Sequence, residues 1–376
     1  MNPPESWPES WPESWFAADY AEARAKFRAA AERAGAVLET HLNPNARQPD
    51  GGDLTTDVAR LGPAPGPAAG GAAGVLIASS GTHGVEGFCG SGCQVGMLET
   101  GAFDLLPADC ALVLVHAINP YGFAWLRRVT EHNIDLNRNN LDHGAGHPAN
   151  EKYAEIHAWL TPRDWTGPGR ERADAAIAAY IREHGMFAFQ EAVSGGQYDF
   201  PDGLFFGGRA LSWSAQTWRE IVDAHCRGAR RVAHLDFHTG LGGHGACEII
   251  SVEGAGGAGA DRARRWYGEA VKSPERNDSL SAVVTGSMEN GFDGIAQDTE
   301  VTSVALEYGT QSLPEVLEAL RADNWLHLYG DPESDAGRAI KRQIRDAFYG
   351  DTPEWKAMIW ETADRVVRQA AAGLAG

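Results

Sequence analysis

Short unbroken apolar runs alternate along this chain with longer stretches in which apolar positions recur every three or four residues. The runs Val75-Leu76-Ile77-Ala78, Ala111-Leu112-Val113-Leu114-Val115-His116 and Arg231-Val232-Ala233-His234-Leu235-Asp236 read as buried strands. Ala282–Thr285 and Thr302–Leu306 read as later strands. Val37–His41 and Leu54–Ala59 alternate like half-buried strands, and Gly51-Gly52 between them predicts a hairpin. Helical spacing covers Phe16–Ala34, Cys89–Glu99, Glu151–Trp159, Arg170–His184 and Ala210–Cys226. It returns over Asp261–Lys272, Gln311–Tyr329, Ala336–Phe348 and Glu354–Ala372. Pro63–Gly74, Gly195–Gly208 and Gly254–Gly259 read as loops, and Asn119-Pro120-Tyr121-Gly122 as a turn. Strands alternating with helices predict an α/β layered sandwich. Residues 16–376 contain no linker long enough to divide them, so they are expected to form one domain. Residues 4–15 repeat Pro-Glu-Ser-Trp three times. Four residues are too few for a solenoid unit, and the prolines and acids oppose a helix, so residues 1–15 are expected to be a disordered extension.

Composition narrows the class. The chain has 376 residues, 43% of them hydrophobic, enough for a sizeable core. A net charge of -19 argues against nucleic acid and anionic membrane surfaces as partners, because neither would be attracted. The five cysteines, Cys89, Cys93, Cys110, Cys226 and Cys247, are scattered and odd in number, without a C-x-x-C pair. They read as free thiols of a reducing compartment. No apolar run reaches 18 residues, so no transmembrane helix is expected. No signal peptide is visible either, and the cytoplasm is the expected location. None of these patterns speaks to oligomeric state.

The candidate chemistry lies at strand ends. His83 and Glu86 follow the run Val75–Ala78, where a strand gives way to a helix. That edge of an α/β sheet is where ligands bind. A neutral imidazole and a hard carboxylate together suit zinc. Alone the pair is weak, since 13 histidines and 51 acidic residues also produce it as a capping Glu and a loop His. Other strand ends add Arg127-Arg128, Asp135-Leu136-Asn137-Arg138-Asn139, His238 and Glu307. Two His and one Glu are three ligands, which leaves a fourth position for water. The second Glu is then a base for that water. His234 competes with His238, four residues on and on the same strand face. His238 is preferred because it stands at the strand's end. His244 and Glu248, in the Gly-rich loop that follows, are expected only to line the pocket.

The ordered set resembles the zinc carboxypeptidase superfamily, whose type member is carboxypeptidase A. More closely it resembles a bacterial branch known mainly as a domain of unknown function. That branch shows H-x-x-E after a strand, N-P-x-G, an Arg, D-x-N-R-N, a distant His and a late Glu. The chain offers His83 and Glu86, Asn119-Pro120-Tyr121-Gly122, Arg128, Asp135-Leu136-Asn137-Arg138-Asn139, His238 and Glu307 in that order, over Val75 to Gly309. The resemblance implies a three-layer α/β/α sandwich with a mixed, largely parallel sheet. It implies one zinc ion on His83, Glu86 and His238, with Asp135 orienting the first of these. Asn137 and Arg138 resemble the pair that grips a substrate carboxylate, Arg128 the group that stabilises the oxyanion, and Glu307 the general base and acid. The implied activity is hydrolysis of an amide bond beside a free carboxylate, in a small peptide or an N-acyl amino acid. Deacylation on the same zinc site is the alternative, and a scaffold that keeps only the fold is a third reading. The chain departs from the digestive enzymes in having no tyrosine in Ser287–Asp298, before Glu307. Its Gly195–Gly208 segment matches the uncharacterised branch.

Overall fold

The structure is a computed structural model that describes residues 11–64, 71–253, 256–295, 297 and 299–376. Its seven strands are β1 (Val37–Arg47), β2 (Asp53–Leu61), β3 (Gly74–Ser79), β4 (Cys110–His116), β5 (Arg231–His244), β6 (Cys247–Ser251) and β7 (Glu300–Gly309). They form one sheet in the order β1-β2-β4-β3-β5-β7-β6. The four strands β4, β3, β5 and β7 are mutually parallel. The expected hairpin is present as the antiparallel pair β1 and β2, and β6 adds an antiparallel edge to β7. The sheet is therefore mixed, with five of seven strands running in one sense.

Strand alternation sorts the side chains into two layers. Ala233, Leu235 and Phe237 enter one core with helices Tyr20–Arg33, Gly87–Glu99 and Pro353–Ala375. Val75, Ile77, Val113 and Val232 face the other core, where helix Trp213–Cys226 packs Trp218, Ile221 and Val222 against them. Each buried Val, Leu, Ile or Phe among them contributes about 1.5–3 kcal/mol relative to leaving it in water. Helices thus cover both faces, giving the α/β/α sandwich. A third apolar cluster joins helices Glu151–Leu160, Pro168–His184, Met186–Ser194 and Leu313–Tyr329.

Some elements differ from expectation. Trp11–Trp15 is a helical turn, not part of a disordered extension, and Trp15 is buried edge-on against Trp360 with ring centroids 4.8 Å apart. Residues 1–10, which hold most of the repeats, lie outside the described residues. So do residues 65–70 and 254–255 of two expected loops. Ala282–Thr285 is no strand; its valines line a cavity instead. β6 and the extension of β5 to His244 went unpredicted because Gly240, Gly242, Gly243 and Gly245 weaken any strand pattern there. The β5–β7 register slips between Thr239 and His244. Glu248 therefore stands on a strand rather than in a loop, and it accepts hydrogen bonds from Ser279 and the Leu280 N–H. His244 holds the Thr310 carbonyl. Neither residue lines the cavity, contrary to expectation.

Among the described residues, no helix is long and apolar enough to cross a membrane.

Candidate metal centre

The candidate centre lies beyond the end of β3 and beside His238, which stands within β5 rather than at its end, because that strand runs on to His244. His83 is in extended conformation, and Gly84–Glu86 is a single 3-10 turn opening helix Gly87–Glu99. In such a turn side chains three apart eclipse one another, which puts His83 and Glu86 on one side. The turn is clamped from behind. Gly84 and Val85 donate backbone hydrogen bonds to the carbonyls of Arg128 and Arg127 (3.1 and 2.9 Å). Asn119 accepts from Gly122 N–H at 3.0 Å and donates to the Arg128 carbonyl at 3.3 Å. A Cβ on Gly84 would lie 2.0 Å from the Gly122 carbonyl carbon, so the contact needs glycine at 84. The N-P-Y-G motif, which also caps a short helix Pro120–Ala124, thus supports the His83–Glu86 turn.

His238 reaches the same point from β5. One ligand atom each from His83, Glu86 and His238 lie within 4.8 Å of one another, and all three residues are buried. Each histidine has its own carboxylate behind it. His83 Nε2 is 3.1 Å from Asp135 Oδ1, and His238 Nε2 is 2.7 Å from Asp236 Oδ2. With Nε2 beside its carboxylate, each ring presents Nδ1 to Glu86, and Arg128 Nη2 also stands 2.9 Å from His83 Nε2. His238 Nδ1 lies 3.0 Å from Glu86 Oε2. His83 Nδ1 lies 3.1 Å from Glu86 Oε1, yet it is buried without a hydrogen-bond partner. A buried, unpartnered imidazole nitrogen beside a carboxylate and a second imidazole is a donor set that fits a divalent metal ion.

The electrostatics agree. Burial would raise the Glu86 carboxyl, but His83, His238 and Arg128 outweigh it and hold it below the usual carboxylate range. Asp236 is likewise held down, to about 2; burial opposes this, and His238, His234 and Ser79 overcome it. Asp135 is pulled well down against its burial, by Arg128, Arg138 and His83. Glu307 goes the other way. It is the register partner of His238 across β5 and β7 and lines the cavity. Burial, then the nearby Glu86 charge, push it up to about 7; His238, the Leu241 N–H and Arg128 offset them only in part. Leu241 donates to its Oε1 at 3.0 Å.

The two neighbouring arginines part company. Arg128 anchors Nε on Asp135 (3.0 Å) and turns Nη1 to Glu86 (2.9 Å). Arg127 points away, to Asp323 and Asn133. Asn137 and Arg138 both line the cavity beside His83, Arg128 and Glu307. Arg138 donates to the Ser194 carbonyl and lies over the Phe205 ring, and its buried Nε has no partner.

Residues 16–362 match the model of a family described as a protein of unknown function, DUF2817. The chain belongs to this family. The branch without an assigned function is thus the one its motifs resemble. No curated protein matches the DUF2817 chain. Among solved structures it is similar to bovine thrombin-activatable fibrinolysis inhibitor in complex with tick carboxypeptidase inhibitor, at 9% identity and a TM-score of 0.44 over 96% of this chain and 97% of that one. It is similar to carboxypeptidase A from Helicoverpa armigera at 12% identity and a TM-score of 0.42, over 88% of this chain and 73% of that one. Succinylglutamate desuccinylase from Chromobacterium violaceum follows at 16% identity and a TM-score of 0.33, over 82% and 74%. At such identities and scores these likenesses carry no argument about chemistry, which rests on the site itself.

Asp236 is a member of the candidate site that the sequence pattern alone did not single out. Asp236 stands two residues before His238, and the strand period of two puts both on one face. Its Oδ1 also accepts from Ser79 (2.7 Å) and Thr82 (2.9 Å). His234 packs within the sheet as expected, its nitrogens 3.0 Å from the Ser79 hydroxyl and 2.8 Å from the Ser303 hydroxyl.

Proposed function

We propose that this protein is a zinc-dependent hydrolase that cleaves an amide bond next to a free carboxylate. One observation carries the reading: two buried imidazoles, each backed by its own carboxylate at Nε2, turn Nδ1 toward Glu86 while Glu307 stands beside them with a raised pKa. His83, Glu86 and His238 would hold one zinc ion, which supplies Lewis acidity toward an amide carbonyl and toward water. Glu307 accepts a proton from the attacking water as the oxygen–carbon bond forms. It then delivers that proton to the amine nitrogen as the carbon–nitrogen bond breaks, leaving a carboxylate and an amine. A carboxyl raised by burial and by Glu86 suits both halves of this exchange. Arg128, held by Asp135, donates to the oxygen on which negative charge develops. Asn137 and Arg138 grip the substrate's carboxylate, Arg138 with the fork geometry such a group needs. The scattered free cysteines fit a cytoplasmic enzyme.

A screen of small peptides and N-acyl amino acids, each with its amidated counterpart, tests the reading. Wild type is expected to hydrolyse the free acids, and Glu307→Gln to lose about 10²–10⁴ in turnover while keeping its zinc. Near-wild-type turnover by Glu307→Gln would overturn it.

A further inference from the structure

The cavity at the centre measures about 320 Å³, at the small end of ligand pockets, which span roughly 300–1,000 Å³. It suits one small molecule or a chain end. His83, Arg128, Asn137, Arg138, His238 and Glu307 supply most of its charged and strongly polar lining. The remainder is mainly apolar. Helix Pro168–His184 contributes Ile177 and Ile181, helix Met186–Ser194 contributes Met186, Phe189 and Val193, and helix Leu313–Tyr329 contributes Leu317. Glu318 and Arg321, which also reach this side, are engaged with each other, with Arg170 and Asp174, and with the Leu160 carbonyl. Part of the apolar lining meets solvent, with Met186 42% exposed and Val283 56% exposed. Covering such surface with an apolar group is favourable in proportion to the area removed from water.

We infer that this apolar chamber receives the acyl side of the substrate, an inference that rests on the hydrolase reading above. The substrate class is then an amide between a carboxylate-bearing amine and a large apolar acyl group. Arg138 and Asn137 account for the carboxylate, and Glu307 and Arg128 for the scissile bond. What is left of the cavity is mainly hydrocarbon, with Gln190, Glu275 and a few hydroxyl side chains among it. A fatty N-acyl amino acid and a peptide with an apolar residue before its last one share this chemistry.

The test is calorimetric titration of Glu307→Gln, in zinc-containing buffer, with N-acylglycines from acetyl to octanoyl and with N-acetyl-leucyl-glycine beside N-acetyl-glycyl-glycine. Affinity is expected to rise about threefold to fourfold per added methylene, the equivalent of burying each one. Ile181→Asn and Leu317→Asn, both at partly exposed positions, are expected to flatten that slope, and Ile181→Val to keep it; thermal melts confirm that each variant folds. A steep slope in the acyl series alone identifies the fatty source, and a leucyl preference alone identifies the peptide source. Affinity indifferent to the acyl group overturns the chamber, even where wild type hydrolyses every compound. A steep slope with no hydrolysis by wild type supports the chamber and overturns the hydrolase reading.

Discussion

Two carboxylates in one sheet meet opposite treatment. Asp57 on β2 is fully buried and receives four strong donors. Arg28 and Thr40 each reach Oδ1 at 2.6 Å, while Arg24 and Thr55 reach Oδ2 at 2.6 and 3.1 Å. Burial would raise its pKa, but Arg24 and Thr40 outweigh it and hold the carboxyl below the usual range. Glu307 on β7 keeps a face on the cavity and receives the Leu241 N–H; burial and a neighbouring carboxylate lift it to about 7. Supplied with partners, a buried carboxylate is a strut. Left short of them, it is costly to fold around and ready to exchange a proton, which is the mark of a working group.

The comparison breaks most visibly on stability. Asp57→Ala strands two guanidinium groups and two hydroxyls, and about 2–4 kcal/mol of folding free energy should disappear in urea denaturation. That is below the upper range for wholly buried pairs because Arg24 and Arg28 still reach solvent. In wild type the same contribution is present above the ordinary aspartate range and is lost as the pH falls below about 4. Glu307→Gln loses few partners and removes a charge that burial disfavours, so it should leave stability unchanged or raise it. Equal destabilisation by both variants would erase the distinction between strut and working group.

A smaller effect sharpens the contrast at His238. Asp236→Asn keeps the shape of the carboxylate but no longer accepts the Nε2 proton as an anion. Zinc affinity should fall about 10–100-fold by competition with a chelator, with the fold intact by circular dichroism. No change would make Asp236 a packing residue.

The mildest readout is the acid limb of the pH profile. Glu307 must be ionised to accept a proton, so activity should fall as the pH drops through its pKa. Burial and Glu86 put that near 7, and a cation bound beside it can only lower it, so the limb should lie at or below about pH 7. A limb well above neutrality would mean that another group limits the reaction.

Much of this was legible in the residues. The strand ends announced themselves because Val75–Ala78 and Ala111–Val115 are wholly apolar and break sharply into polar motifs, and the His83–Glu86 spacing matched the turn that brings both to one side. What failed was long-range or glycine-masked. Ala282–Thr285 is apolar because it faces a cavity rather than a sheet, which a local pattern cannot distinguish. Cys247–Ser251 pairs as an edge strand although glycines precede it. Arg127 and Arg128 are adjacent in sequence, yet Asp323, from a helix nearly two hundred residues on, claims the first. Asp236 was within reach, since the period of two already placed it beside His238.

The central claim is that His83, Glu86 and His238 form one metal site through the Nδ1 atoms of both histidines. Zinc counting by atomic emission, with X-ray absorption at the zinc edge, tests it on wild type, His83→Ala and His238→Ala. The account predicts one zinc per chain in wild type, with two imidazole nitrogens at about 2.0–2.1 Å, and near-complete loss of zinc in either variant. Full zinc occupancy in His83→Ala or His238→Ala would contradict it.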